Sequence, residues 1–227
     1  MGTFLHGLST RFYYHSLDMS QYVEQVEQQL SRELVELRHL GTTDVGRLAG
    51  LTDVRLTLTG GALESANDAH VWARLNEDTE RVWAFLPSGD VFGRYAYCGL
   101  SLGDNQQRTA GNDVVRLPVA LVSSAEVDRC VILRALGVGG TSPGATYTAS
   151  ASSANGGAAY VICTAISSAL TVTFEHSTDG DTWDTLVAMT ALSAAGSEVK
   201  VVTGTVNKYL RVSWAGSGTW FAAFGRR

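Results

Sequence analysis

Apolar residues occupy alternate positions in several short stretches of this chain. Val54, Leu56 and Leu58 alternate with Arg55, Thr57 and Thr59, and Leu170, Val172 and Phe174 alternate with Thr171, Thr173 and Glu175. Leu117, Val119 and Leu121 share one face of residues 114–122. A two-residue period is that of a strand with one buried side. Residues 81–86 (RVWAFL), 95–102 and 129–136 (RCVILRAL) are short apolar runs that predict further strands, the last a core strand. Beyond residue 157 the pattern predicts strands at 159–165, 169–176, 184–189, 198–202, 209–214 and 220–225. Their spacing, roughly 10 residues per strand, suits a small β-sandwich. One helix is predicted at residues 65–79, with Val71, Trp72 and Leu75 as its apolar stripe and Ser65 or Asn67 as its cap. The expected fold class is therefore mainly β with one α-helix.

Residues 24–38 fit two templates. Val23, Val26, Leu30, Leu34 and Leu37 have helical spacing and are interleaved with helix-forming Glu and Gln, whereas residues 31–37 also carry a strand-like alternation. Pro87-Ser88-Gly89-Asp90 is a turn signal, residues 104–113 (DNQQRTAGND) read as a polar loop, and residues 41–50 read as a glycine-punctuated loop. Pro118 lacks a ladder donor and suggests an edge or a bulge. Asp179-Gly180-Asp181 is a hairpin signal. The sharpest change in composition is at residues 137–157, a Gly, Ser, Ala and Thr segment with no charge. It divides the chain into a first domain at 1–141, a linker at 142–157 and a C-terminal β-sandwich at 158–227.

Charge and composition narrow the function. The 227 residues are 45% hydrophobic, enough for a packed core. Residues 1–143 hold 12 basic and 17 acidic side chains, a net of −5, while residues 144–227 are balanced. An acidic first part lacks the basic footprint of tight nucleic-acid binding, and suits a surface past which DNA moves without sticking. No apolar run approaches the ~20 residues that span a bilayer, and the N-terminus has neither a secretory nor a myristoylation signal. No membrane insertion is expected, and the protein is expected to be made in a cytoplasm.

Candidate chemistry is sparse. Cys98, Cys130 and Cys163 are far apart with no CxxC spacing, so buried small hydrophobes are expected rather than disulfides or zinc. No two of the five histidines have metal-ligand spacing, and no nucleotide or nucleophile-elbow motif is present. Glu175 and His176 would point to opposite faces of a strand. Asp179, Asp181 and Asp184 form a loose acidic loop without the downstream glutamate of a calcium site. No catalytic residue, metal or cofactor is expected. Trp183, Trp214 and Trp220 are the aromatic residues that could stack on a sugar, with Trp183 and Trp220 the candidate stacking pair; ordinary core packing is the competing role.

The N-terminal pattern resembles the phage major tail (tail tube) proteins. Residues 11–15 form an extended segment, Asp18-Met19-Ser20-Gln21-Tyr22 is similar to the family's turn, and Gly50-Leu51-Thr52-Asp53 is similar to its "Gly-Leu-x-Asp" strand. The run FEHSTDGDTW and the following VTGTVNKYLRVSW resemble a β-domain appended to such proteins in phages of actinobacteria. The resemblance implies a tail-tube β-sandwich or barrel that joins copies of itself into rings, usually hexameric, which stack as a hollow tube. It favours strand over helix at residues 24–38. It implies an N-terminal arm at 1–10 and a stacking loop at about 39–51, with Phe4, Leu5, Asp44, Arg47 and Leu48 as inter-ring contacts. It implies a virion tail protein assembled in the host cytoplasm, with DNA passing through its lumen and other tail proteins at the tube ends. An outward-facing C-terminal domain would clash with a sheath, so a non-contractile tail is expected. The rival reading is a carbohydrate-binding or adhesion protein that docks a cell-surface glycan on its C-terminal domain.

Overall fold

The computed structural model describes residues 9–37, 46–59, 71, 79–107, 109–110, 115–116 and 118–227. Among the described residues fifteen strands follow one another: β1 (Arg11–Tyr14), β2 (Leu17–Asp18), β3 (Gln25–Leu37), β4 (Gly46–Thr59), β5 (Arg81–Leu86), β6 (Tyr95–Gln106), β7 (Thr109–Ala110), β8 (Val115–Arg116), β9 (Val119–Ser123), β10 (Asp128–Val138), β11 (Tyr147–Thr148), β12 (Gly157–Ser177), β13 (Asp184–Ala188), β14 (Gly196–Val202) and β15 (Tyr209–Arg226). The fold is mainly β. The helix expected at 65–79 lies outside the described residues except for Val71, which is helical and buried, and Thr79, which is not helical. The chain divides into two compact units, residues 1–22, 80–100 and 127–227, and residues 23–79 and 101–126.

In the first unit the strand order is β13-β12-β15-β10-β6-β5-β1-β2, with β14 also on β12 and β11 also on β15. The apolar runs explain why β10, β12 and β15 lie in the middle. Ala158, Tyr160 and Ile162 of β12, Phe221 and Ala223 of β15, and Cys130 and Ile132 of β10 pack with Tyr13, Val82, Ala84, Leu86, Ala96 and Cys98 in one core. Their immediate neighbours Ala159, Val161, Cys163, Trp220, Ala222, Phe224, Val131 and Leu133 face a second core with Leu170, Val172, Phe174, Leu210 and Val212. A strand buried on both faces has no polar face to alternate with, so it reads as a continuous apolar run. Further along β12 and β15 one face turns polar, and there Arg211 Nε pairs with Glu175 Oε2 at 2.6 Å and Ser213 Oγ donates to Glu175 Oε1 at 2.9 Å.

The sheet curls around the first core until its ends meet. His15, in the β1–β2 turn, donates its backbone N–H to Val82 O at 2.8 Å, and its Nδ1 lies 2.9 Å from Ser197 Oγ on β14. The Asp18-Met19-Ser20 turn is fastened to β1. Ser20 N–H donates to Asp18 Oδ1, Phe12 N–H to Ser20 Oγ and Met19 N–H to Phe12 O, each at 2.9 Å. An Asp side chain that caps its own turn is a local device, legible in sequence.

In the second unit β3 pairs with β4, β4 with β9, and β9 with the distal half of β6, all antiparallel. Residues 25–37 are thus strand, as the resemblance favoured and against local helix propensity. The pairing decides it: Val26, Gln28 and Leu30 lie opposite Leu58, Leu56 and Val54, and tertiary context overrides propensity.

Several expectations are corrected. Residues 46–50 belong to β4 rather than a loop, because the ladder from Leu34↔Ala49 to Leu37↔Gly46 continues through them. The loop expected at 104–113 instead begins as the end of β6 and contains β7. The single strand expected at 114–122 is two strands, β8 and β9, with Pro118 just ahead of β9. β9 is paired on both sides, so it is no edge, and Pro118 O accepts the Gln107 N–H at 3.1 Å. The four strands expected at 159–165, 169–176, 209–214 and 220–225 are two long ones, β12 and β15. The serines and glycines that read as breaks sit opposite one another as bulges between Cys163 and Thr171. The boundary expected near residues 141–144 lies inside the first unit. The small residues there let the chain lie against β15: Gly144 N–H donates to Val212 O at 2.8 Å, and β11 pairs with β15.

Candidate functional site

Two surfaces stand out, one in each unit. In the second unit it is β3. Thirteen residues long, it pairs with β4 on one edge, and among the described residues nothing pairs with the other. Its face continues the buried face of β4: Val54, Leu56 and Leu58 are buried, while Leu30, opposite Val54, is 69% exposed. The opposite face is polar, with Glu27 and Gln29 across from Thr57 and Arg55, and Arg55 reaches Asp104 Oδ2 at 2.6 Å. An unpaired edge next to an apolar face that outruns its cover is a template for another strand. In the first unit the outer strand β14 is blunted: Lys200 Nζ donates to Ala188 O at 2.8 Å, and Glu198 accepts from Thr190 N–H and Oγ1–H at 2.8 and 2.7 Å.

The surface in the first unit is a cleft of about 470 Å³ beside the bulged end of β10. Its lining includes Phe92, Leu133, Leu136, Val138, Val212 and Trp214, with Arg134 its one charged residue among those described. The Arg134 guanidinium carbon lies 4.4 Å from the Trp214 ring centroid and 4.3 Å from that of Trp220, and the two indoles meet edge to face at 5.2 Å. Each such contact contributes about 0.5–2 kcal/mol. Arg134 Nη2 donates to Gly137 O at 3.3 Å and to Gly139 O, and Nε is buried without an acceptor among the described residues. No carboxylate pairs with Arg134 among the described residues, and burial pushes its pKa down. Two rim residues are apolar and open: Val138 is 74% and Phe92 36% exposed. Arg134 was missed by sequence reasoning; its signal is one cation inside the apolar run of residues 130–136.

The tryptophan pair proposed for sugar stacking is not a pair. Trp220 is 1% exposed in the second core, which leaves no ring face for a sugar. Trp183 lies in the β12–β13 turn, donates Nε1–H to Gly180 O at 3.1 Å, and has the Arg211 guanidinium 4.0 Å over its ring. Phe4, Leu5 and Asp44 lie outside the described residues, while Arg47 and Leu48 fall in β4 opposite Glu36 and Val35. Among the described residues no three His, Cys, Asp or Glu side chains gather as a metal site. No helix among them is long and apolar enough to cross a membrane.

The remaining polar clusters serve the fold. Asp128 accepts from Tyr160 OH at 2.6 Å and from Arg227 Nε and Nη2 at 3.0 and 3.1 Å, tying down the C-terminus. Asp90 Oδ2 accepts from Tyr13 OH at 2.7 Å and Leu136 N–H at 2.6 Å; burial raises the pKa of both acids. His176 Nδ1 accepts from Asn207 N–H at 3.2 Å while Glu175 bonds Arg211, so the adjacent pair serves separate partners. Cys98, Cys130 and Cys163 are free and buried, and burial raises the Cys130 and Cys163 thiol pKa values.

No protein-family model and no curated protein matches the sequence. Among solved structures the chain is similar to a protein of the virion of a native gene transfer agent particle, at 10% identity and a TM-score of 0.44, covering 55% of this chain and 97% of that one. It is also similar to a protein of the tail of an empty gene transfer agent particle with C6 symmetry (9% identity, TM-score 0.41, 49% of this chain and 85% of that one). A third similarity is to the SPP1 Dit protein of a phage adsorption hub (10% identity, TM-score 0.38, 94% of this chain and 98% of that one).

Proposed function

We propose that this chain is a structural subunit of a phage-type tail, and specifically the major tail tube subunit, which polymerises as stacked rings into a DNA-conducting tube. The observation that carries the reading is β3: a 13-residue strand with one edge unpaired among the described residues, and with Leu30 exposed opposite the buried Val54 of β4. A second copy that adds a strand there closes the edge and covers Leu30, and a head-to-tail contact of this kind builds rings or filaments. The resemblance of residues 11–59 to tail tube proteins supports the same reading, as does the acidic bias of residues 1–143. A hexameric ring, contacts between rings through residues 1–10 and 39–51, and a non-contractile tail are part of this proposal.

Electron microscopy of the purified chain tests it. Stacked tubes are the expected result, whereas rings that never stack would fit a neck or terminator piece instead. Leu30→Lys places a charge on the open face without touching the buried core. Its melting temperature should stay close to that of the parent, since exposed substitutions cost within about 0.5 kcal/mol, while assembly is lost. A Leu30→Lys chain that assembles like its parent, or a parent that remains monomeric at every concentration, would sink the reading.

A further inference from the structure

We propose that the cleft around Arg134 docks an acidic side chain flanked by apolar residues, carried on a partner protein. This does not rest on the tail tube reading. The first observation is a charge without its complement. Arg134 packs against both the Trp214 and Trp220 rings, its hydrogen bonds among the described residues leave through Nη2 to backbone carbonyls, and no carboxylate among them meets the guanidinium. Backbone carbonyls satisfy hydrogens but do not neutralise a cation, and a half-buried cation gains most from a carboxylate that arrives with its own apolar cover. The second observation is the lining. Phe92, Leu136 and Val138 surround the cation with apolar surface, and Val138 and Phe92 remain exposed. Exposed apolar residues clustered around one charge fit the anatomy of a protein interface.

The lining also separates a peptide from an acidic sugar. A sugar is read through its hydroxyls, which need several polar side chains that both donate and accept, and among the described residues the cleft offers Arg134, Thr141 and the Trp214 indole N–H, of which Thr141 alone can accept. An aliphatic–glutamate–aliphatic segment matches what is present.

The probe is acetyl-Leu-Glu-Leu-amide, titrated into the full-length chain and followed by indole fluorescence, because Trp214 and Trp220 both contact Arg134. The expected result is saturable quenching by this peptide and about tenfold weaker binding of acetyl-Leu-Gln-Leu-amide, which lacks the charge. Arg134→Gln should remove the difference between the two peptides, with its fold checked by thermal melting. Val138→Asp, on an exposed rim position, keeps the fold and should abolish binding of the acidic peptide by repulsion. Equal binding of the two peptides overturns the proposal, as does no response at millimolar concentration. Tighter binding of glucuronic acid than of the acidic peptide would overturn it in favour of a sugar site.

Discussion

Single residues fix the geometry of the long strands. Gly216 has φ +89°, and a Cβ there would lie 1.9 Å from Ala169 O across the bulge between β12 and β15. Only glycine permits that approach. Gly204 has a similar φ of +85° but open space around it. Gly204→Ala should therefore cost about 1 kcal/mol from backbone strain alone, whereas Gly216→Ala should cost more than about 2 kcal/mol because the opposing backbone must move as well. Chemical denaturation of both variants measures the difference, and equal costs would show that the bulge tolerates a side chain.

Asp179 makes a second test at this scale. Its Oδ1 accepts from the Asp181 and Thr182 N–H groups and from Ser177 Oγ–H, and these bonds hold its carboxyl at a pKa of about 2. A depressed carboxyl contributes stability that is present above the unfolded pKa and lost as pH falls through the folded value. The β12–β13 turn should thus loosen only between about pH 4 and 2, and a carboxyl carbon titration by NMR should place the Asp179 midpoint near the lower limit. A midpoint at the ordinary aspartate value would mean that the turn's hydrogen bonds do not form in solution.

At the level of elements, β12 and β15 each do the work of two predicted strands. Their apolar halves are buried on both faces, and residues 157–163 of β12 are paired on both edges, to β14 and β15. Amide hydrogen exchange should be slowest at residues 158–163 and 220–224, and faster beyond the bulge, where one face meets solvent. Among the described residues β3 has a ladder on one edge only, so alternate amides there should exchange quickly in the monomer and become protected on assembly. Amides of β3 that are already protected throughout in the monomer would argue for a capped edge.

At the scale of the whole molecule, the C-terminal segment is part of the first unit's framework. Residues beyond 143 supply Ala158, Tyr160, Ile162, Phe221 and Ala223 to the first core and every buried member of the second except Val131 and Leu133. A chain ending at Pro143 should therefore fail to fold and appear in the insoluble fraction, the reverse of what the composition of residues 137–157 suggests. A soluble truncated chain with a cooperative melt would restore the boundary near 141–144. The Gly- and Ser-rich composition misleads because small residues serve two purposes. They make flexible linkers, and they also let backbone lie close against a sheet, as Gly144 does beside Trp214.

The sequence by itself determined what depends on neighbours along the chain. The period of two marked residues 54–59 of β4, β9 and the outer half of β12; the Asp18 and Asp179 turns are capped by their own side chains; and the apolar runs marked strands with no solvent face. Tertiary structure alone decided what depends on residues far apart. Pairing with β4 makes residues 25–37 a strand despite their helical propensity. Facing glycines and serines become bulges instead of turns only because the partner strand runs alongside. Trp220 enters a core while Arg134 comes to rest against two indoles, since burial belongs to the packed layers and not to the residue type.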